Sequence, residues 1–103
     1  MTVYVIGQLD IHDPERYRAY LDGFMPSFSR HGGTLLATSA AETTVLEGSW
    51  AFPKTVIMAF PDKASAQAWH SDPEYVELAR IRHQTARTNL VIVEGISPVR
   101  PEG

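Results

Sequence analysis

The sequence predicts one α+β domain, with an antiparallel sheet and helices on one face of it. Three observations support this fold class. The chain has 103 residues, the length of one domain. Short segments rich in Val, Ile, Leu and aromatic residues predict strands. Two stretches between them carry helix start signals, in which aspartate is followed by proline and glutamate.

The first half of the chain predicts a strand, a helix and one or two further strands. Residues 3–9 form the first strand. The Asp-Pro pair at 13–14 starts the helix, because aspartate accepts bonds from free backbone amides and proline suits the first helical position. Pro26 predicts a kink or a restart, and the Gly-Gly pair at 32–33 predicts the helix end. Residues 34–38 and 43–47 predict two short strands or one bent strand.

The second half predicts a strand, two helical segments and a last strand. Residues 55–60 form a strong strand. Asp62 caps a short helix, and Asp72 caps a last helix that runs from Pro73 to about residue 87. Residues 88–93 form the last strand. The folded domain is therefore expected over residues 1–96, and residues 97–103, with two prolines, predict a flexible C-terminal tail.

The element order is that of ferredoxin-like βαββαβ folds. In an antiparallel sheet with one solvent-exposed face, apolar and polar side chains alternate along each strand. These strands, however, are apolar on both faces. Two helices cover only one face, and the other would expose a larger apolar patch than monomers usually carry. We therefore expect a homodimer in which a second copy covers the open face.

Composition excludes several classes of function. There is no cysteine, which removes disulfides, thiolate nucleophiles and thiolate-bound metals. The net charge of -3 argues against nucleic acid or an anionic membrane as the main partner. The histidines at 12, 31, 70 and 83 lack metal-ligand spacing, so we expect no metal and no cofactor. No signal peptide or membrane-spanning run is evident, and the expected location is cytoplasmic.

An ordered set of short motifs extends along nearly the whole chain. It comprises Gly32-Gly33, Leu46-Glu47-Gly48-Ser49-Trp50, Phe60-Pro61, Ala68-Trp69, Asp72-Pro73-Glu74-Tyr75, Arg82 and Val93-Glu94-Gly95. This set resembles the bacterial family called domain of unknown function 1330. The resemblance implies a dimeric α/β-barrel, in which two ferredoxin-like units press their sheets together. The wider superfamily includes cofactor-independent monooxygenases, isomerases and haem-dependent enzymes, but a shared fold does not carry function across.

The expected site is a mostly apolar pocket between sheet and helices, entered near Trp50 and His31. Tyr17 and His31 are the candidate acid–base groups. The candidate ligand-binding residues are Trp50, Trp69, Tyr75 and Arg82. The alternative for the aromatic residues is that they only fill the core.

Arg82 is the most informative candidate. Helical spacing puts it on the same face as Tyr75 and Leu78, toward the apolar side. A charge on such a face needs an anionic partner. The sequence favours an internal ion pair with Glu47 or Glu94, and the alternative is an anion anchor for a ligand carboxylate.

Two functions remain open at this level. The first is binding of a small organic molecule, an acid or an aromatic compound, with cofactor-independent acid–base or oxygenase-type chemistry on it. The second is a binding or interaction module without enzymatic activity. Haem binding is a third hypothesis, which rests only on kinship of fold and on a spare histidine.

Overall fold

The computed structural model describes residues 1–40 and 42–96. In chain order the elements are β1 (Val3–Ile11), α1 (Pro14–Gly23), α2 (Met25–Arg30), β2 (Thr34–Ala37), β3 (Lys54–Phe60), α3 (Lys63–Ser71), α4 (Pro73–Thr85) and β4 (Ala86–Glu94). The tail predicted at 97–103 lies outside the described residues.

The four strands form one antiparallel sheet in the order β2-β3-β1-β4. This order and the helical layer confirm the ferredoxin-like α+β fold. Val5 pairs with Met58 and Ile92 on the face that the helices cover. Its neighbour Ile6 pairs with Ile57 and belongs to the opposite face, because successive side chains of a strand point in opposite directions.

The core lies between the sheet and the helices and is built largely from aromatic rings. Its fully buried members include Phe28, Phe60, Trp69 and Tyr75. Trp69 contacts the other three, with ring centroids 5.9, 5.3 and 4.3 Å away, respectively. Burying such rings supplies much of the hydrophobic stabilisation of a domain of this size.

The opposite face of the sheet is apolar and open in the single chain. Its side chains include Tyr4, Ile6, Ile57, Val91 and Val93. On β4, Val91 is 53% exposed and Val93 is 45% exposed. No described helix covers these residues, as the two-faced apolar pattern of the strands predicts.

The predicted helix caps are confirmed. Asp13 accepts a bond from the Arg16 amide at 3.2 Å, Asp62 from the Ser65 amide at 2.7 Å, and Asp72 from the Glu74 amide at 2.8 Å. The predicted restart also occurs, because α1 gives way to α2 at Phe24 and Pro26 falls in the first turn of α2.

Two predicted boundaries are wrong. Residues 43–47 form no strand: the chain there makes one bridge, from Glu42 to Lys54, and a backbone bond from Thr43 to Pro53, and the rest is loop. The last helix ends at Thr85 rather than near residue 87. Ala86 is already extended, and the Thr85 carbonyl accepts bonds from the amides of residues 12 and 13, so β4 begins immediately after the helix.

Candidate functional site

A cavity of about 80 Å³ lies between the sheet and the helices. Leu9, Met58 and Leu90 line it from the sheet, one residue from each of three strands. Helices α1, α3 and α4 line it mainly with aromatic rings. Its exposed lining residues are Leu21, Leu35 and Thr38, which mark a largely apolar mouth between α1 and the end of β2.

Arg82 brings a charge into this apolar space. It projects from α4, lines the cavity and is only 6% exposed. No carboxylate within the described part of the chain lies within ion-pair distance of it. Its guanidinium carbon lies 5.9 Å from the centre of the Tyr20 ring, a cation–π contact. Burial lowers the pKa of Arg82, but Tyr75 and Tyr20 together raise it above its ordinary value, so the group stays charged.

The predicted ion pair of Arg82 with Glu47 or Glu94 is therefore wrong. Glu47 is an exposed residue of the loop before β3. Glu94 ends β4, six residues beyond Thr88, which lines the cavity. Six residues of strand span about 20 Å. Neither carboxylate is placed to compensate the buried charge.

Three tyrosines surround the charge: Tyr17, Tyr20 and Tyr75. The Tyr20 and Tyr75 hydroxyls share a hydrogen bond of 2.7 Å. Burial raises the pKa of Tyr20, and the neighbouring Tyr75 raises it further. Burial also raises the pKa of Tyr17, although Arg82 and Ser39 act in the opposite direction. At neutral pH Tyr17 and Tyr20 are therefore hydrogen-bond donors and acceptors, and neither is ionised to act as a base.

Two more polar atoms of the lining residues have no partner in the described chain. The Thr88 hydroxyl and the Trp69 indole nitrogen are both buried without a hydrogen bond. Leaving such a group unsatisfied costs about 1–3 kcal/mol. These two groups come from α3 and β4 and lie in the wall of the cavity, beside the charge of Arg82 on α4.

His31 lies away from the cavity. It follows α2, and its Nε2 lies 2.8 Å from an Asp72 carboxylate oxygen that also accepts a bond from Arg30 at 2.7 Å. These bonds, with the Arg30 contact to Glu74, join the end of α2 to the start of α4. His31 therefore does not meet Tyr17, and the two predicted acid–base groups are not brought together.

Trp50 is also outside the cavity. Its indole donates a hydrogen bond to the Thr55 hydroxyl at 3.1 Å. Thr55 pairs with Gln8 on the open face of the sheet, so Trp50 belongs to that side of the molecule. The predicted entrance near Trp50 and His31 is therefore wrong.

The remaining four predicted site residues, Tyr17, Trp69, Tyr75 and Arg82, all line the cavity. Sequence reasoning did not select Thr88. A signal was available, because Thr88, Leu90 and Ile92 alternate on one face of the last strand, and a threonine among inward-facing apolar residues marks a polar group in the core.

The sequence matches the family described as domain of unknown function (DUF1330) over residues 2–96. The chain belongs to this family. No curated protein matches the sequence of this DUF1330 protein. Within the described residues, no group of three metal-ligating side chains is assembled, and no helix is long and apolar enough to cross a membrane.

Several solved structures share the fold of the DUF1330 chain. A protein of unknown function from Rhodopseudomonas palustris is 21% identical, with 94% of this chain and 84% of that one covered and a TM-score of 0.75. A dimeric ferredoxin-like protein of unknown function from a Jannaschia species is 20% identical, with coverage of 92% and 100% and a TM-score of 0.64. SnoaB, a cofactor-independent oxygenase from Streptomyces nogalater, is 10% identical, with coverage of 95% and 96% and a TM-score of 0.63. At these identities the likeness shows the fold alone.

Proposed function

We propose that this DUF1330 protein binds a small organic anion in the cavity, with the negative charge of the ligand against Arg82. One observation carries the proposal: a buried guanidinium without a carboxylate partner among the described residues. Burying an uncompensated charge costs several kcal/mol, which a bound anion offsets. Arginine also suits carboxylates, because its planar group donates two parallel hydrogen bonds.

The size and the lining of the cavity narrow the ligand class. A volume of about 80 Å³ is smaller than the roughly 150 Å³ of an apolar cavity that holds benzene. An acid group with a few carbons fits inside, and a larger apolar body extends toward the mouth at Leu21 and Leu35. Leu9, Met58 and Leu90 favour an apolar body. The class is therefore a monocarboxylic acid, aliphatic or aromatic.

A second candidate function is cofactor-independent oxygenase-type chemistry on the bound anion. No histidine, aspartate or glutamate lies among the described residues that line the cavity, and Tyr17 stays protonated. The protein thus offers donors and a cation but no base at neutral pH, so a substrate for this reaction has to enter already ionised at its reacting group, as an enolate or a phenolate, because a carboxylate charge alone does not activate carbon toward oxygen. SnoaB shows that this fold supports oxygenation without a cofactor. Oxygen consumption with a bound acid supports this function, and binding without turnover supports a non-catalytic module.

We also propose that the chain is a homodimer joined through the open faces of its sheets. The exposed Val91 and Val93 on β4, with Ile6 on β1 and Ile57 on β3 across the same face, form an apolar surface that a second copy can cover. Solved structures of the same fold are described as dimeric. Light scattering coupled to gel filtration at micromolar concentration measures the mass directly. Twice the chain mass supports the proposal, and a folded monomer contradicts it.

The binding proposal is tested with benzoate, phenylacetate and butyrate by calorimetry. We expect at least one acid to bind the wild type, and Arg82→Met to weaken it by about 2–5 kcal/mol, the usual loss when a buried charge pair is broken. The matched control is Arg80→Met, on the same helix, because Arg80 is exposed and paired with Glu77. Equal weakening in both variants, or no binding of any acid, contradicts the proposal.

A further inference from the structure

A second space, the outer cleft, adjoins the cavity and has a volume of about 510 Å³. Its lining includes His70, Arg82, His83 and Thr88. Arg82 and Thr88, with Leu90, line both spaces, so these three side chains form the wall between them. The outer cleft is therefore a surface site whose inner wall is the charged side of the cavity.

The outer cleft gathers cationic groups without compensating carboxylates. His70 comes from α3 and His83 from α4, and both are exposed. Neither ring makes a hydrogen bond or an ion pair with a described residue. Arg87 also borders the cleft, but its charge is compensated because its guanidinium is paired with Asp10. Arg82 is the charge in the cleft that no described carboxylate compensates, and the rings of His70 and His83 lie beside it without an anionic partner.

Two local effects show that these groups act on one another. Burial lowers the pKa of His83, and the charges of Arg82 and His70 lower it further. Like charges disfavour protonation when no anion lies between them. An anion bound between these groups would relieve the repulsion.

We propose that the outer cleft binds a doubly charged oxyanion of the phosphate class, held by protonated His70 and His83, with the charge of Arg82 behind them. Two histidinium donors match a dianion, whereas a single carboxylate offers half the charge. The site goes beyond the proposed function, because the cavity takes a singly charged organic acid with an apolar body. The outer cleft is open to solvent, and its ligand does not need an apolar body.

The test titrates inorganic phosphate into the full chain at about pH 7, where phosphate is partly a dianion and histidine, with an ordinary pKa of about 6.5, is still partly protonated, and follows the four histidine rings by NMR. We expect the signals of His70 and His83 to shift along one saturating curve, while those of His12 and His31 stay in place. Phosphate should also raise the pKa of His83, because a neighbouring anion favours the charged ring. Sulfate should act like phosphate, and acetate at equal concentration should shift the rings far less.

Variants separate this site from the cavity. The double variant His70→Gln/His83→Gln should weaken phosphate binding by at least about tenfold, since it removes two charge-assisted hydrogen bonds. Arg18→Gln, which removes one exposed charge from α1, should change it by less than about twofold. An organic acid that binds the cavity should keep its affinity in the double variant.

Three results overturn the proposal: equal linear shifts of all four histidines, unchanged phosphate affinity in the double variant, or acetate binding as well as phosphate. None of them depends on whether the cavity binds an organic acid, so failure of this site and failure of the proposed function are distinguishable.

Discussion

The cavity and the corner where α2 meets α4 each hold an arginine, but the surroundings of the two arginines differ. At the corner, Arg30 lies 2.7 Å from Asp72 and 3.1 Å from Glu74, and it is half exposed. In the cavity, Arg82 is buried and meets tyrosine hydroxyls in place of a carboxylate. A compensated charge at an element junction acts in folding, whereas an uncompensated buried charge in a cavity points to a ligand. On our proposal, this difference in surroundings, rather than residue type, separates an arginine that stabilises the fold from one that binds a ligand.

The largest expected effect on stability belongs to the corner. Asp72→Ala removes the N-cap of α4 and the acceptor shared by Arg30 and His31, and we expect the melting temperature to fall by several degrees. Arg82→Met removes an uncompensated buried charge, and we expect its melting temperature to stay unchanged or to rise. Thermal unfolding of both variants without ligand makes the comparison. A larger fall in melting temperature for Arg82→Met than for Asp72→Ala would contradict this comparison.

As the pH falls, the contacts of Asp72 at the corner should lose their stabilising effect before the cavity is affected. The hydrogen bond from His31, the bond from Arg30 and that from the Glu74 amide lower the pKa of Asp72 below its ordinary value. A carboxyl with a lowered folded-state pKa contributes stability above its unfolded pKa of about 4 and loses it as pH falls through the folded value. The stability difference between wild type and Asp72→Asn should therefore shrink as pH falls below about 4. Urea unfolding of both proteins between neutral pH and pH 3 measures it, and a constant difference would contradict the shared role of this carboxylate.

A smaller effect should arise at Tyr17. Its protonated phenol is available to donate to an anion against Arg82. Tyr17→Phe keeps the ring and removes the donor, so acid binding should weaken by about 0.5–1.5 kcal/mol, with little change in melting temperature. Tyr4→Phe, on the open face of the sheet, is the matched control. If both variants bind equally well, Tyr17 belongs only to the wall of the cavity.

Most of the fold followed from local signals in the sequence. The three aspartate caps, the restart at Pro26 and the two-faced apolar strands each depend on a few neighbouring residues, and the structure confirms them. The segment at 43–47 has strand-like composition, but it finds only one bridge with β3 and remains a loop. Strand formation depends on a partner edge, which local composition does not specify.

The site was less accessible to sequence reasoning because it depends on where distant segments meet. Helical spacing placed Arg82 on the buried side correctly. The predicted ion-pair partner of Arg82 was wrong, because the distance from Arg82 to Glu94 depends on where α4 ends and on the direction in which β4 runs. His31 was assigned to the cavity, yet its distance from Asp72 is set by how α2 packs beside the start of α4. Such contacts between residues far apart in the chain come from packing rather than from any local pattern.

The central claim is that Arg82 binds the charge of an organic anion, and one NMR comparison tests it most directly. The guanidinium signal of Arg82, assigned by its absence in Arg82→Met, is followed during titration with benzoate and with benzamide, which has nearly the same shape but no charge. We predict a saturable shift with benzoate and a far weaker response to benzamide, because only the carboxylate compensates the buried cation. Equal responses to both compounds, or no shift with benzoate while it binds elsewhere, would contradict the account.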